Sequence, residues 1–222
     1  MKPPRLLAVI AIAAGIISAG CFAGAYALAS ASDSASTEIV TREIPWDGSR
    51  AISLGVEADL RYVQAAGPAT LVARGQHRSV STLVVSGGHV RDGLLHTGSR
   101  LELTLRAPQV SEFVVNGRSR LVIETYDQPH LSVTAEGRAS VEASGRVEEV
   151  TLALQGRARV NLARVAAGRV GGHVAGNATA VIAPDLLSQV DVRGGGAVVL
   201  LKQPAQQANQ TFEAGSVIDA SK

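Results

Sequence analysis

The 222-residue chain has one cysteine, Cys21, which excludes an internal disulfide and any zinc site built on cysteines. Aromatic side chains are nearly as scarce: one Trp, three Tyr and three Phe. With 46% apolar residues and 23 glycines beside them, the core has to be built from Val, Leu, Ile, Ala and Gly. The scarcity also argues against a sugar-binding platform, because Trp46, Tyr62, Phe113, Tyr126 and Phe212 are all the aromatics that follow the leader. Excess charge is missing too. The formal +2 comes from 21 basic and 19 acidic residues, and Lys2 and Arg5 stand ahead of the first acid, Asp33, leaving 19 against 19. A neutral body has no global field to draw in nucleic acid, so no nucleic-acid partner is expected.

What is present begins with an address. Leu6 to Ala29 is 24 residues without a charge, preceded by Lys2 and Arg5. Such a segment is an export signal or a membrane anchor, and residues 1–29 are assigned to it. Cleavage would use Ala25-Tyr26-Ala27 or Ala27-Leu28-Ala29, whereas retention would give a membrane partner, with the amino end held cytoplasmic by its positive charges. Lipidation at Cys21 fits less well, because Ser18 stands where a lipobox has Leu. All three fates put the remainder in the periplasm or cell envelope. Residues 30–42, rich in Ser, Ala and Thr, read as a flexible tether, 43–204 as the folded domain, and 205–222 as a polar tail.

A repeat organises the body. Asn116-Gly117-Arg118-Ser119-Arg120-Leu121 recurs as Glu136-Gly137-Arg138-Ala139-Ser140-Val141 and as Gln155-Gly156-Arg157-Ala158-Arg159-Val160, with looser copies at Gly176 and Gly194. The glycines are 20, 19, 20 and 18 residues apart. Positions two and four before and after each glycine carry no charge, while the interleaved positions carry Arg118, Arg120, Glu136, Arg138, Arg157, Arg159, Asp191 and Arg193. A period of two with one clean face is a strand signature. We expect a strand through each glycine, with the glycine on the inward face of a narrow interior. Leu131, Val150, Val165 and Leu187 supply a second apolar stretch per coil. The pattern predicts an all-β fold, a parallel β-solenoid of about 20-residue coils in which no coil buries its inner face alone. An antiparallel sandwich would show turns every 8 to 12 residues without a fixed glycine phase. Ile44 to Ala107 has strand-like runs without that phase and is expected to form less regular initial coils that cap the stack.

These residues resemble the bacterial GIN domain, the head of an adhesin family. The resemblance rests on Val56-Glu57-Ala58-Asp59-Leu60-Arg61-Tyr62, on Gly93-Leu94-Leu95 before a β run, on the repeated Gly-x-small-x-apolar coils, and on the closing Val198 to Pro204. It implies a right-handed β-helical fold in an exported or lipid-anchored envelope protein, with no catalytic residues to carry over. The chain departs from the family in placing Arg after three of its glycines, and no carboxy-terminal translocator barrel is expected.

The sharpest local feature is the arginine column. Arg118, Arg138 and Arg157 share one phase, with Arg120 and Arg159 two residues further on. Stacked in register they would form an anionic-ligand face for polysaccharide, lipid head group or phosphate, since Arg offers bidentate hydrogen bonds. The competing reading is a solvated face neutralised by Glu124, Glu136 and Glu142. Catalysis is not expected. Asp127, Asp185 and Asp191 are separated, no two acids recur at one coil phase, and His77, His89, His96, His130 and His173 lack metal-ligand spacing. Gly194-Gly195-Gly196 is not followed by a helix or a Lys-Ser/Thr pair, so it reads as a coil turn and not a phosphate loop. No cofactor is implied. The leading expectation is a non-catalytic envelope protein binding a polysaccharide or protein partner; the alternative is a β-helical polysaccharide-cleaving enzyme with convergent acids in a groove.

Overall fold

The structure is a computed structural model that describes residues 38–93, 99–207, 210–213 and 215–220. The leader assigned to 1–29, Cys21 with it, and most of the tether lie outside the described residues.

The regular part is a parallel stack of coils. β9 (Arg120–Ala135), β10 (Ser140–Leu154) and β11 (Arg159–Val174) are 16, 15 and 16 residues long and lie in parallel register over almost their whole length. Each turns twice. The first turn is marked by register shifts between Ala143 and Gly145 and between Glu142 and Ser144, where Gly145 has φ +133°. At the second, two consecutive residues leave the interior: Glu148 and Glu149 separate inward Val147 from Val150, and Gly168 and Arg169 separate Ala167 from Val170.

The coil closes at the glycine corner, so that two main faces meet there. The face leading into the corner runs β2 (Ala51–Leu54), β8 (Glu112–Val115), the ends of β9, β10 and β11, the end of β13 (Pro184–Arg193) and β16 (Gln210–Glu213). The face leaving it runs β3 (Ala58–Gln64), the starts of β9, β10 and β11, then β12 (Thr179–Ile182), β14 (Ala197–Leu200) and β17 (Ser216–Asp219). β15 (Gln206–Gln207) pairs with the start of β13 on the short third side.

The interior has the expected composition. Val133, Ala135, Val141, Leu152, Leu154, Val160, Val174, Ala180, Val192 and Val198 are buried, as are the second-stretch residues Leu131, Val150, Val165 and Leu187. Fully burying a Val or Leu side chain contributes about 1.5–3 kcal/mol, so each coil is held chiefly by these contacts with its neighbours.

The expected position of the glycines needs correction. No strand passes through them. Gly117, Gly137, Gly156, Gly176 and Gly194 sit at the corner between strands, with φ of +70°, +76°, +79°, +73° and +65°, in the left-handed region that a side chain disfavours. They face outward rather than inward, and the inward small residues are the next but one: Ser119, Ala139, Ala158 and Ala178, all buried. The glycines do stack in adjacent coils. A Cβ on Gly137 would lie 3.1 Å from the Gly117 carbonyl oxygen, and one on Gly156 2.9 Å from that of Gly137. The ladder also runs unbroken through the corner, the Arg138 N–H donating to Gly117 O at 2.7 Å, Arg157 N–H to Gly137 O at 2.6 Å and Asn177 N–H to Gly156 O at 2.6 Å.

The amino-terminal part departs further from simple coils. β7 (Leu101–Ala107) lies parallel to β3, but β4 (Thr70–Gln76) is antiparallel to β7, and β1 (Ile39–Pro45) antiparallel to β4. β5 (Leu83–Ser86) and β6 (His89–Asp92) form a hairpin whose β6 pairs with β2, and α1 (His77–Ser81) connects β4 to β5. This is a cap made of reversed strands. β1 also begins at Ile39, so residues 39–42 of the expected tether are strand, because their main chain pairs with Ala73 to Gln76. At the other end the expected polar tail carries β15 to β17, which continue the stack.

Candidate functional site: the glycine corner and its arginine column

Because the corner glycines stack, the residue that follows each one stacks as well. Arg118, Arg138 and Arg157 therefore project from successive coils, at the roughly 4.8 Å spacing of adjacent strands. All three are exposed, and among the described residues none forms an ion pair. Asn177 and Gly195 occupy the same phase in the next two coils, so the charge stops there. Arg100 reinforces the start of the column: its guanidinium donates to the Arg118 carbonyl oxygen at 2.6 Å and to Asp59 at 2.5 Å.

The two further arginines of the sequence reading behave differently from each other. Arg120 pairs with Glu142 at 2.7 Å, while Arg159 has no acid partner among the described residues. Glu124, expected to neutralise the column, pairs with Arg61 at 2.7 Å instead, and Glu136 forms no ion pair. Neutralisation thus operates on the face leaving the corner and not on the corner itself. In bulk water two like charges 4 Å apart repel by about 1 kcal/mol, so the stacked coils can hold three guanidinium groups side by side without a counterion, and a polyanion would relieve the repulsion.

Ser119 joins the regular stack to the cap. Its Oγ donates to Val56 O at 2.9 Å and accepts from the Ala58 N–H at 3.2 Å, linking the 55–58 turn to the first regular corner. The other coils have Ala or Gly at this phase, where the ladder is regular and no side-chain bridge is needed.

Four of the aromatic residues lie inside. Tyr62, Phe113 and Tyr126 are buried, with ring centroids 5.2 Å apart for Tyr62–Phe113 and 6.3 Å for Tyr62–Tyr126, and Trp46 is buried in the same core. The Tyr62 hydroxyl donates to Ala107 O at 3.0 Å and accepts from the Val110 N–H at 3.3 Å; that of Tyr126 donates to His130 O at 2.6 Å. Burial pushes both phenols above their ordinary range. They hold the 107–111 connection in place and offer no aromatic surface to a sugar.

One arrangement was not legible in the sequence. Around the second bend, Glu149, Thr151, Gly171, Gly172, His173, Gln189 and Asp191 line an open notch of about 340 Å³, with Glu149 3.4 Å from His130. A sequence separation of 42 residues between Glu149 and Asp191 hid it. Among the described residues no group of three or more His, Cys, Asp or Glu is placed to hold a metal ion. Asp185 pairs with Lys202 elsewhere, and Asp127 lies on β9 opposite Arg146.

Residues 95–204 match the family model described as "Putative auto-transporter adhesin, head GIN domain". The match begins at residue 95, past the reversed strands β1, β4, β5 and β6. No curated protein sequence matches the chain. Among solved structures, a putative adhesin from Bacteroides fragilis NCTC 9343 superposes with a TM-score of 0.65 at 15% identity, over 82% of this chain and 97% of its own. A putative lipid binding protein from Parabacteroides distasonis ATCC 8503 gives 0.52 at 13% identity, over 81% and 96%. At these identities the likeness is one of fold. The five stacked corner glycines all fall within the stretch that matches the GIN-domain family.

Proposed function

We propose that this is an exported, non-catalytic envelope protein that binds a repeating anionic polymer, such as an acidic polysaccharide, along its glycine corner. The observation that carries the reading is the column Arg118–Arg138–Arg157, exposed and without carboxylate partners while Arg61, Arg74, Arg100 and Arg120 are all paired. A row of guanidinium groups carried at the strand spacing suits a polymer with regularly placed carboxylates or phosphates, because the backbone ladder fixes where each arginine starts and each offers bidentate hydrogen bonds. The family and its adhesin head support a surface role. The uncharged Leu6 to Ala29 segment supports export, and the mass of the mature amino terminus distinguishes its cleaved, lipidated and retained forms.

The test is titration of the protein with an acidic polysaccharide at several salt concentrations. Wild type should bind with affinity that falls steeply as salt rises, and Arg118→Ser/Arg138→Ser/Arg157→Ser should lose at least tenfold at low salt with an unchanged melting temperature. Equal binding by the triple variant would remove the corner from the interaction.

A further inference from the structure

The arginine column fixes more about a ligand than the sign of its charge. The main-chain bonds from Arg138 to Gly117, from Arg157 to Gly137 and from Asn177 to Gly156 hold the residues after the glycines at successive strand positions. Arg118, Arg138 and Arg157 therefore leave the corner about 4.8 Å apart, and the outer two are about 9.6 Å apart. The column is three charges long. Asn177 and Gly195 take the same phase in the coils that follow, and the 55–58 turn ahead of it has no basic residue.

Beside the charges stand neutral hydrogen-bonding groups. On the face leaving the corner Ser140 lies in register between Arg120 and Arg159, and Thr179 follows Arg159; both are partly exposed. On the other side of the corner Gln155, exposed, precedes Gly156. Hydroxyl and amide groups flanking a charged row suit a ligand that is itself rich in hydroxyls, such as a sugar chain. Because Trp46, Tyr62, Phe113 and Tyr126 are buried, affinity for such a chain has to come from its carboxylates rather than from stacking on its rings.

We propose that the corner takes a homopolymeric uronate, a sugar chain with one carboxylate on every ring, laid along the solenoid axis with successive rings on successive coils. This deepens the reading of the corner as an anionic-polymer site and rests on it. Each ring with its bridging oxygen advances an extended pyranose chain by close to one strand spacing, so three consecutive carboxylates fall opposite three consecutive arginines. In an extended ribbon the carboxylates alternate between the two edges, and long side chains projecting from an outward corner can swing to either edge. A chain charged on every second ring would reach Arg118 and Arg157 and leave Arg138 facing a neutral sugar. Duplex nucleic acid advances about 3.4 Å per phosphate on each strand and winds away from a straight row, so it matches neither the pitch nor the line.

Calorimetric titration of the full chain at low salt with two probes of four carboxylates each, a mannuronate tetramer and a hyaluronan octasaccharide, separates charge spacing from total charge. The tetramer should bind wild type about two- to fivefold more tightly, the effect of one additional exposed charge pair. Arg138→Ser should remove that advantage by weakening the tetramer alone, whereas Arg118→Ser and Arg157→Ser should weaken both probes. Asn177→Arg extends the column by one coil and should strengthen the tetramer more than the octasaccharide, a gain that misfolding cannot produce. Equal affinities with equal losses in Arg138→Ser, or no binding of the tetramer, would overturn the match of ring to coil. A tetramer affinity untouched by Arg118→Ser/Arg138→Ser/Arg157→Ser would overturn the polymer site at the corner as well.

Discussion

Alanine at Gly117, Gly156 and Gly172 separates two costs that most corner glycines combine. At Gly117, φ is +70° and a Cβ would meet nothing within 4 Å, so the substitution carries only the left-handed penalty. That penalty is about 1–2 kcal/mol, partly offset by ~0.4–1 kcal/mol lost from the entropy of the unfolded chain, leaving a net loss of about 1 kcal/mol. At Gly156, φ is +79° and the Cβ would lie 2.9 Å from Gly137 O and 3.2 Å from Gly137 N, atoms of a backbone that cannot rotate away. Forcing the stack apart adds about 1–3 kcal/mol, for a net loss of about 2–4 kcal/mol. At Gly172, φ is +133° and a Cβ would overlap the Leu152 carbonyl oxygen, so this variant should be the worst of the three. For a domain of this size each kcal/mol lowers the melting temperature by roughly 2–4 °C. Thermal melts followed by circular dichroism should therefore fall by about 2–4 °C for Gly117→Ala and about 4–16 °C for Gly156→Ala. Equal shifts for these two variants would refute the claim that the glycines are required by stacking as well as by backbone conformation.

Tyr126→Phe leaves the buried side of His130 O without its donor and should cost about 1–3 kcal/mol by chemical denaturation, whereas Arg120→Ala, which breaks an exposed pair, should cost no more than about 1 kcal/mol. Because Tyr62 and Tyr126 ionise less readily folded than unfolded, the folded state holds their protons longer as pH rises. Their contribution is complete below the unfolded value near 10 and is lost above it, so melting temperature should fall from pH 10 upward, and less steeply in Tyr126→Phe. Leu154→Ala, at a fully buried position in the coil stack, should cost about 2–5 kcal/mol, and an unchanged melt would contradict the packing described.

Much of the solenoid is legible in the residues because its physics is local and repeated. An inward position two residues to either side of each glycine keeps a period of two, and one coil's pattern must match the next for both to bury their faces. The same rule concealed the corner. The residues two before and two after a glycine are the last inward residue of one strand and the first of the next, so their alternation is identical whether the chain runs straight or turns. Three consecutive exposed positions, at Glu136-Gly137-Arg138 and again at Arg193-Gly194-Gly195, mark the turn. The cap was opaque for another reason. β4 alternates like any strand, and nothing in Thr70–Gln76 says that it will run antiparallel to β7 or that β1 will cover it. That choice belongs to partners tens of residues away.

At the candidate site the division is similar. The sequence by itself determined the coil length, the inward set and the shared phase of Arg118, Arg138 and Arg157, since each follows from periodicity along the chain. Only the tertiary structure decided which charges find partners. Glu142 reaches Arg120, and Glu124 turns to Arg61 across a separation of 63 residues, because ion pairing depends on which strands lie side by side and on where their side chains point. It also decided that the glycines face outward in a left-handed turn, where from Gly137 onward each lies against the backbone of the coil before it.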